Sequence, residues 1–162
     1  MADQDRDVRL PSALRAPLSR NVQLLLGSRI PARLAWNDLA GSPRVAPMWF
    51  RWTGSAFELS AFVGARKLDE LHDGDMVAIT IDTEDFPYRS LRVRGRLTLE
   101  QVQGLTSSYR QAAVRYLGED PARDWCQRLA GADQVLLTVH PVEASASQMW
   151  DAGYLREPIG ER

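Results

Sequence analysis

The sequence is short of the residues that most often carry chemistry. It has one cysteine, Cys126, and two histidines, His72 and His140. A lone thiol cannot close an internal disulfide or supply a Cys-rich zinc site. The two imidazoles stand on different segments, without the His/Glu or His/Asp spacing of a metal motif. No G-x-S-x-G elbow, Walker-type loop or G-x-G-x-x-G fingerprint occurs, which argues against elbow-serine hydrolysis and against nucleotide binding through those loops. Apolar runs stop after three or four residues, too short to span a bilayer, so no membrane partner is expected. A formal net charge of -1 argues against a broad nucleic-acid-binding face. The stretch Met1 to Arg9 is charged and lacks the apolar core of a secretory signal, so a cytoplasmic location is expected.

What is present reads as a globular β-rich chain. With 162 residues, 44% of them apolar and 25% charged, it suits a single domain that buries roughly two thirds of its unfolded surface. Residues 1–17 carry Pro11, Pro17 and many charges with little periodicity, and read as a flexible N-terminal arm. The domain is expected over 18–155, with a tail at 156–162. Ser19 is placed to cap a short helix with Val22, Leu25 and Leu26 on one face, ending at Gly27. Period-two alternation then predicts strands over 32–37, 44–52, 56–62, 76–82, 88–99, 135–140 and 142–150, the last two meeting at Pro141. Gly95 falls among the inward positions of 88–99, where a bulge or sharp bend would use its missing side chain. Helical spacing appears after Gly64, through Lys67, Leu68 and Leu71, up to the turn Asp73-Gly74-Asp75. It returns in two stripes, one through Leu105, Tyr109, Ala112, Ala113 and Tyr116 and one through Ala122, Trp125, Cys126 and Leu129. Crossovers between successive strands are too short for a parallel sheet, so a closed antiparallel barrel is expected.

Two segments draw attention as sites. Arg66 and Lys67 stand at the start of the helix expected after Gly64, where two cations oppose the partial positive charge of a helix N-terminus unless an anion joins them. With the Ser60 hydroxyl at a strand end they suit a phosphate monoester, Arg66 forking two oxygens and Lys67 adding a point charge. The alternative is that both side chains simply reach into water. The second segment is the strand with Pro47, which cannot donate to a ladder and frees neighbouring backbone groups. Met48, Trp49, Phe50 and Trp52 there offer surface to a planar ring, or else belong to the core or a subunit interface. The stripe Arg89, Arg92, Arg94 and Arg96 reads as a solvated polar face, with Asp82, Glu84 and Asp85 near enough to pair with it.

Four stretches, in this order, resemble the pyridoxamine-phosphate-oxidase-like FMN-binding split barrels: 43–50, 60–71, 85–96 and 135–151, the last ending in Met149-Trp150-Asp151. The resemblance implies a mainly β fold with a few helices, a six- to seven-stranded antiparallel split barrel of Greek-key-like connection. It also implies a homodimer with FMN in grooves at the interface, acting as an oxidoreductase on a small-molecule substrate. By motif position, Arg66 and Lys67 would hold the phosphate with help from Ser60 and Ala61. Pro47, Met48 and Trp49 would line the isoalloxazine, largely through backbone groups. Trp150 would approach the cofactor late in the chain, and Tyr88 would border the pocket. Two positions depart from the pattern: Ala65 stands where many relatives have serine, and Trp36 is bulky enough to narrow or block the site. A deazaflavin coenzyme in place of FMN would use extra cations such as Arg51 or Arg89. A haem carrier would have to draw its axial ligand from His72 or His140, and a barrel that binds no cofactor would serve as an interaction protein.

Overall fold

The computed structural model describes residues 10–148. Seven strands form one antiparallel sheet: β1 (Ala32–Asn37), β2 (Pro43–Met48), β3 (Phe50–Trp52), β4 (Phe57–Phe62), β5 (Met76–Asp82), β6 (Arg89–Val102) and β7 (Gln134–Gln148). Their order across the sheet is β2-β1-β5-β6-β7-β4-β3. β2 and β3 therefore lie at opposite edges, yet Trp49 alone separates them in the chain. The sheet must curl until its edges meet, and at the seam the backbone itself crosses from one edge to the other. The expected single strand over 44–52 is thus two strands, and the expected closed barrel is split at this seam, since no ladder joins β2 to β3.

The expected break at Pro141 is absent, and β7 runs unbroken through it. Its register with β6 slips between Arg94 and Gly95: Arg94 faces Glu143 while Gly95 faces Pro141, leaving Val142 as the extra residue of a bulge. A proline is tolerated at such a point because the ladder is already interrupted there. At Gly95 the strands approach closely, for a Cβ there would lie 2.5 Å from the His140 carbonyl oxygen.

Inward positions of the strands fill the barrel. Leu34, Phe50, Phe57, Ile79, Leu91 and Leu137 are fully buried, each burial stabilising by roughly 1.5–3 kcal/mol. Helix α1 (Arg20–Gly27) adds Val22, Leu25 and Leu26 to this core, and the Ser19 hydroxyl accepts from the Val22 N–H at its start. Part of the segment expected as a loose arm is fixed as well: Ser12–Leu14 make a 3-10 turn, and Leu14 is 1% exposed within the core. A leucine between prolines is an apolar plug, and its charged neighbours in the sequence conceal that.

Helices α2 (Ser107–Leu117) and α3 (Glu119–Arg128) follow β6, and α2 lies across β3 and β4. Leu105, Ala113, Ala122 and Cys126 make a second, smaller core between them, with Trp49, Phe62, Tyr109 and Leu129 packed against it. Leu105, Tyr109 and Ala113 of the first expected stripe and Ala122, Cys126 and Leu129 of the second face it; Tyr116 packs against the main core instead, and Trp125 sits at the surface donating its indole N–H to the Tyr109 hydroxyl at 2.9 Å. Among the described residues no helix is long and apolar enough to cross a membrane.

Candidate functional site

The seam gathers the first group of sequence-predicted residues. Phe50 pairs with Leu59 at the end of the β3–β4 ladder, while Met48, two residues earlier, pairs with Ala32 of β1, so Trp49 bridges the two edges. Alternation assigns their sides. Met48 and Ala61 point into the core, 7% and 4% exposed, while Pro47 is exposed on the outer face beside Arg33. The Trp49 ring is not free to stack on a ligand. It lies 5.1 Å from the Tyr116 ring, the two planes within 7°, and 5.6 Å from Tyr109. What Trp49 offers outward is backbone. Burial pushes the phenols of Tyr109 and Tyr116 up, so both remain neutral at ordinary pH; the Tyr116 hydroxyl donates to the Ile30 carbonyl, and that of Tyr109 accepts from Trp125.

Ser60 is engaged too: its hydroxyl lies 2.7 Å from that of Thr106, which caps α2 by accepting from the Tyr109 N–H at 3.0 Å. Thr106 is a residue the sequence reading passed over, although a threonine just before a helical stripe is a cap signal. Arg115 is a second omission. It donates to the carbonyl oxygens of Leu26 and Phe50 and lies 4.4 Å from the centre of the Phe50 ring, tying α2 to α1 and to the seam.

Arg66 and Lys67 come directly after β4, on the same wall of the barrel as Ser60 and Ala61. The expected helix is a 3-10 turn of four residues, Arg66–Asp69, because Leu71 must return to the core, where it is 2% exposed, before the Asp73-Gly74-Asp75 turn. So short a turn has little macrodipole, and any attraction for an anion rests on the two side chains. Arg66 is exposed and Lys67 half-buried. Among the described residues neither has an acidic partner within 4.0 Å. Ala65 caps the turn without a side-chain hydrogen bond.

Tyr88 is elsewhere. It adjoins the opposite end of β6 and, with Thr80, Asp82, Arg89, Arg92 and Ser147, lines a cavity of about 430 Å³ on the outer face. A second cavity of about 340 Å³ shares Thr80 and Arg92 with it and continues along the same face to Glu143 and Ser145. Arg92, Arg94 and Arg96 are exposed at alternate positions as expected, but their anticipated acidic neighbours are arranged differently. Asp82 pairs with Arg33 at 2.7 Å and Arg94 with Glu143, while Arg92 has no acidic partner among the described residues. Arg89 donates to Asn21 at 3.1 Å. Trp150 lies outside the described residues. Trp36 faces the core, 9% exposed. A depression of about 560 Å³ between α2 and α3, reaching Val114 and Cys126, is lined by none of the predicted site residues, and its volume alone does not make it the site. His72 lies 3.9 Å from Asp75 and His140 3.2 Å from the Thr98 hydroxyl. No group of three or more metal-ligating side chains forms among the described residues.

Three solved structures place this architecture. An F420 reductase is 28% identical over 75% of this chain and 93% of its own, with a TM-score of 0.58. The conserved hypothetical protein Rv2991 from Mycobacterium tuberculosis is 14% identical, covering 99% and 98% of the two chains with a TM-score of 0.63. The chain has the fold of the pyridoxamine-phosphate-oxidase-like split barrels. HutZ, the haem storage protein from Vibrio cholerae, shares the split-barrel fold at 18% identity over 78% of this chain and 91% of its own, with a TM-score of 0.55. No protein-family model matches the sequence, and no curated protein does.

Proposed function

We propose that this split barrel binds a flavin-type cofactor, FMN in the first place, and works with it as an oxidoreductase on a small molecule. The phosphate sits on Arg66 and Lys67, the ring lies against the seam at Pro47, Met48 and Trp49, and a second copy of the chain completes the groove. The observation that carries the reading is the pair of cations without acidic partners, set immediately after the strand that flanks the seam. Two cations kept side by side without a counter-ion repel each other, and a doubly charged oxyanion relieves that repulsion with charge-assisted hydrogen bonds.

Each residue's part follows from its environment. Because the Ser60 hydroxyl is held by Thr106, Ser60 and Ala61 serve through their backbone and by fixing the direction in which the chain leaves β4. Trp49, clamped by Tyr116, keeps the seam backbone rigid. A bound flavin supplies hydride transfer at its N5. The protein's tasks are to hold the phosphate, orient the ring and shield it from water. Tyr88 and the cations of the turn lie toward opposite ends of β6, so a homodimer packed through the outer face of β5, β6 and β7 is part of the proposal: it brings Tyr88 of one copy toward the seam of the other. Trp150 is assigned to the same groove by resemblance.

A deazaflavin coenzyme is the second reading. The 28% identity to an F420 reductase favours it, as does Arg92, a cation without an acidic partner on the outer face, where a longer anionic tail would run. The deciding experiment is the visible spectrum of the purified protein, followed by titration with FMN, the deazaflavin and haem. Saturable binding of FMN or the deazaflavin, with bleaching on reduction, is expected. Failure of both to bind removes the redox reading, and binding of haem alone replaces it with a carrier function using His72 or His140.

A further inference from the structure

The turn that carries Arg66 and Lys67 also carries two acids, Asp69 and Glu70. Glu70 stands four residues from Arg66 and three from Lys67, the separation at which side chains of a 3-10 turn come one above the other. It pairs with neither. Instead, Trp36 Nε1 donates to Glu70 Oε2 at 2.9 Å. The Glu70 carboxylate lines a polar cavity of about 250 Å³ with Trp36, Asp38, His72 and Asp75, to which neither Arg66 nor Lys67 contributes. The donor in this bond is firmly aimed, because Trp36 occupies an inward position of β1 and packs in the main core. Asp69 is exposed and has no ionic partner within 4.0 Å among the described residues.

An indole N–H can only donate, and when buried it takes an acceptor. Here it takes the carboxylate of Glu70, which stands within a turn of both cations. Released from the indole, Glu70 would turn back to Lys67 or Arg66, and an incoming anion would then have to displace it.

We propose that Trp36 is a positioning residue that draws Glu70 away from Arg66 and Lys67 and so keeps both cations open to a phosphate dianion. The inference rests on the phosphate-binding reading above. Trp36 acts through Glu70 and touches no ligand. It gives a use to a bulky residue whose side chain lies inside the barrel.

The test uses the full chain as Trp36→Phe, Glu70→Gln and the double variant, with FMN and riboflavin as probes and quenching of flavin fluorescence as the readout. Riboflavin has the same ring without the phosphate, so it reports on the seam alone. Trp36→Phe is expected to weaken FMN about tenfold, the worth of one competing charge-assisted hydrogen bond, and to leave riboflavin unchanged. Glu70→Gln alone retains or gains FMN affinity, and adding it to Trp36→Phe restores what that variant lost. The idea is overturned if Glu70→Gln weakens FMN as Trp36→Phe does and the double variant recovers nothing, for then the bond merely props the turn. Glu70→Gln leaves the core intact, so its sign decides the matter even if Trp36→Phe does not fold. Equal affinity of the unaltered protein for FMN and riboflavin would show instead that the phosphate site itself is misplaced, and the inference falls with it.

Discussion

Replacing Gly95 by alanine puts the geometry of the β6–β7 bulge to a quantitative test. The added Cβ would lie 2.5 Å from the His140 carbonyl oxygen, 2.7 Å from Val139 Cγ1 and 2.9 Å from the His140 carbonyl carbon. Comfortable separations are about 3.5–4.0 Å, so something must retreat by roughly 1 Å. Two of the three atoms are backbone, and β7 is not free to move: Val139 is paired with Leu97 of β6 on one side and Phe57 of β4 on the other. Overpacking of this kind usually costs about 1–3 kcal/mol, and the immobile partner puts Gly95→Ala near the upper end. In urea, with a slope of about 2 kcal/mol/M, a loss of about 3 kcal/mol lowers the midpoint by about 1.5 M. The thermal midpoint falls by roughly 6–12 °C. Gly27→Ala is the matched control. Nothing lies within 4 Å of its added Cβ, and alanine favours the helix by up to about 1 kcal/mol, so it is neutral or stabilising. A Gly95→Ala protein within about 0.5 kcal/mol of the unaltered chain would refute the close approach, and with it the bulge that bends these strands.

Other perturbations address the site. Arg66→Ala with Lys67→Ala removes two charge-assisted contacts of about 1.5–3 kcal/mol each; the exposure of Arg66 reduces its share, so a loss of about 3 kcal/mol in FMN binding is expected by titration, and unchanged affinity refutes the placement. Thr106→Ala removes the cap of α2 and the partner of Ser60, costing about 1–2 kcal/mol in chemical denaturation, whereas Thr106→Ser recovers most of it; equal loss in both variants would count against the capping role. The N–H of Ser42, followed by that of Ala40 and by Arg44, holds the Asp38 carboxyl below its ordinary 3.8. A depressed folded value contributes stability that is present above pH 3.8 and is lost as pH falls through the lower folded value. Amide protection factors in the β1–β2 turn should therefore fall in that acid window, and Asp38→Asn should abolish that fall.

The positions of most strands and their inward faces were legible because alternation is a local property: Val77, Ile79 and Ile81, or Leu91, Val93 and Leu97, state their side of the sheet by spacing alone. The seam was not legible, because Trp49 looks like one more residue of a strand, and only the distant pairing of β2 with β1 and of β3 with β4 divides it. The continuity of β7 through Pro141 depends in the same way on Gly95 in another strand. Of the candidate site, Ser60, Ala61, Arg66 and Lys67 could be read together because they lie within eight residues of the chain. Thr106 left a readable cap signal. Glu70 left none, since its partner Trp36 comes from β1 and acquires meaning only in the folded chain.

The pairing order also bears on how the protein is made. β4 has only the three residues of β3 as a ladder partner until Gln134–Val139 are available to it, so during synthesis on the ribosome its other edge waits for almost all of the described chain to emerge. Long-range pairings of this sort are slow and leave an edge uncovered in the meantime. The wall that bears Ser60 and Ala61 is thus completed late, and nascent chains arrested before Gln134 should present it to chaperones as a bare, sticky strand.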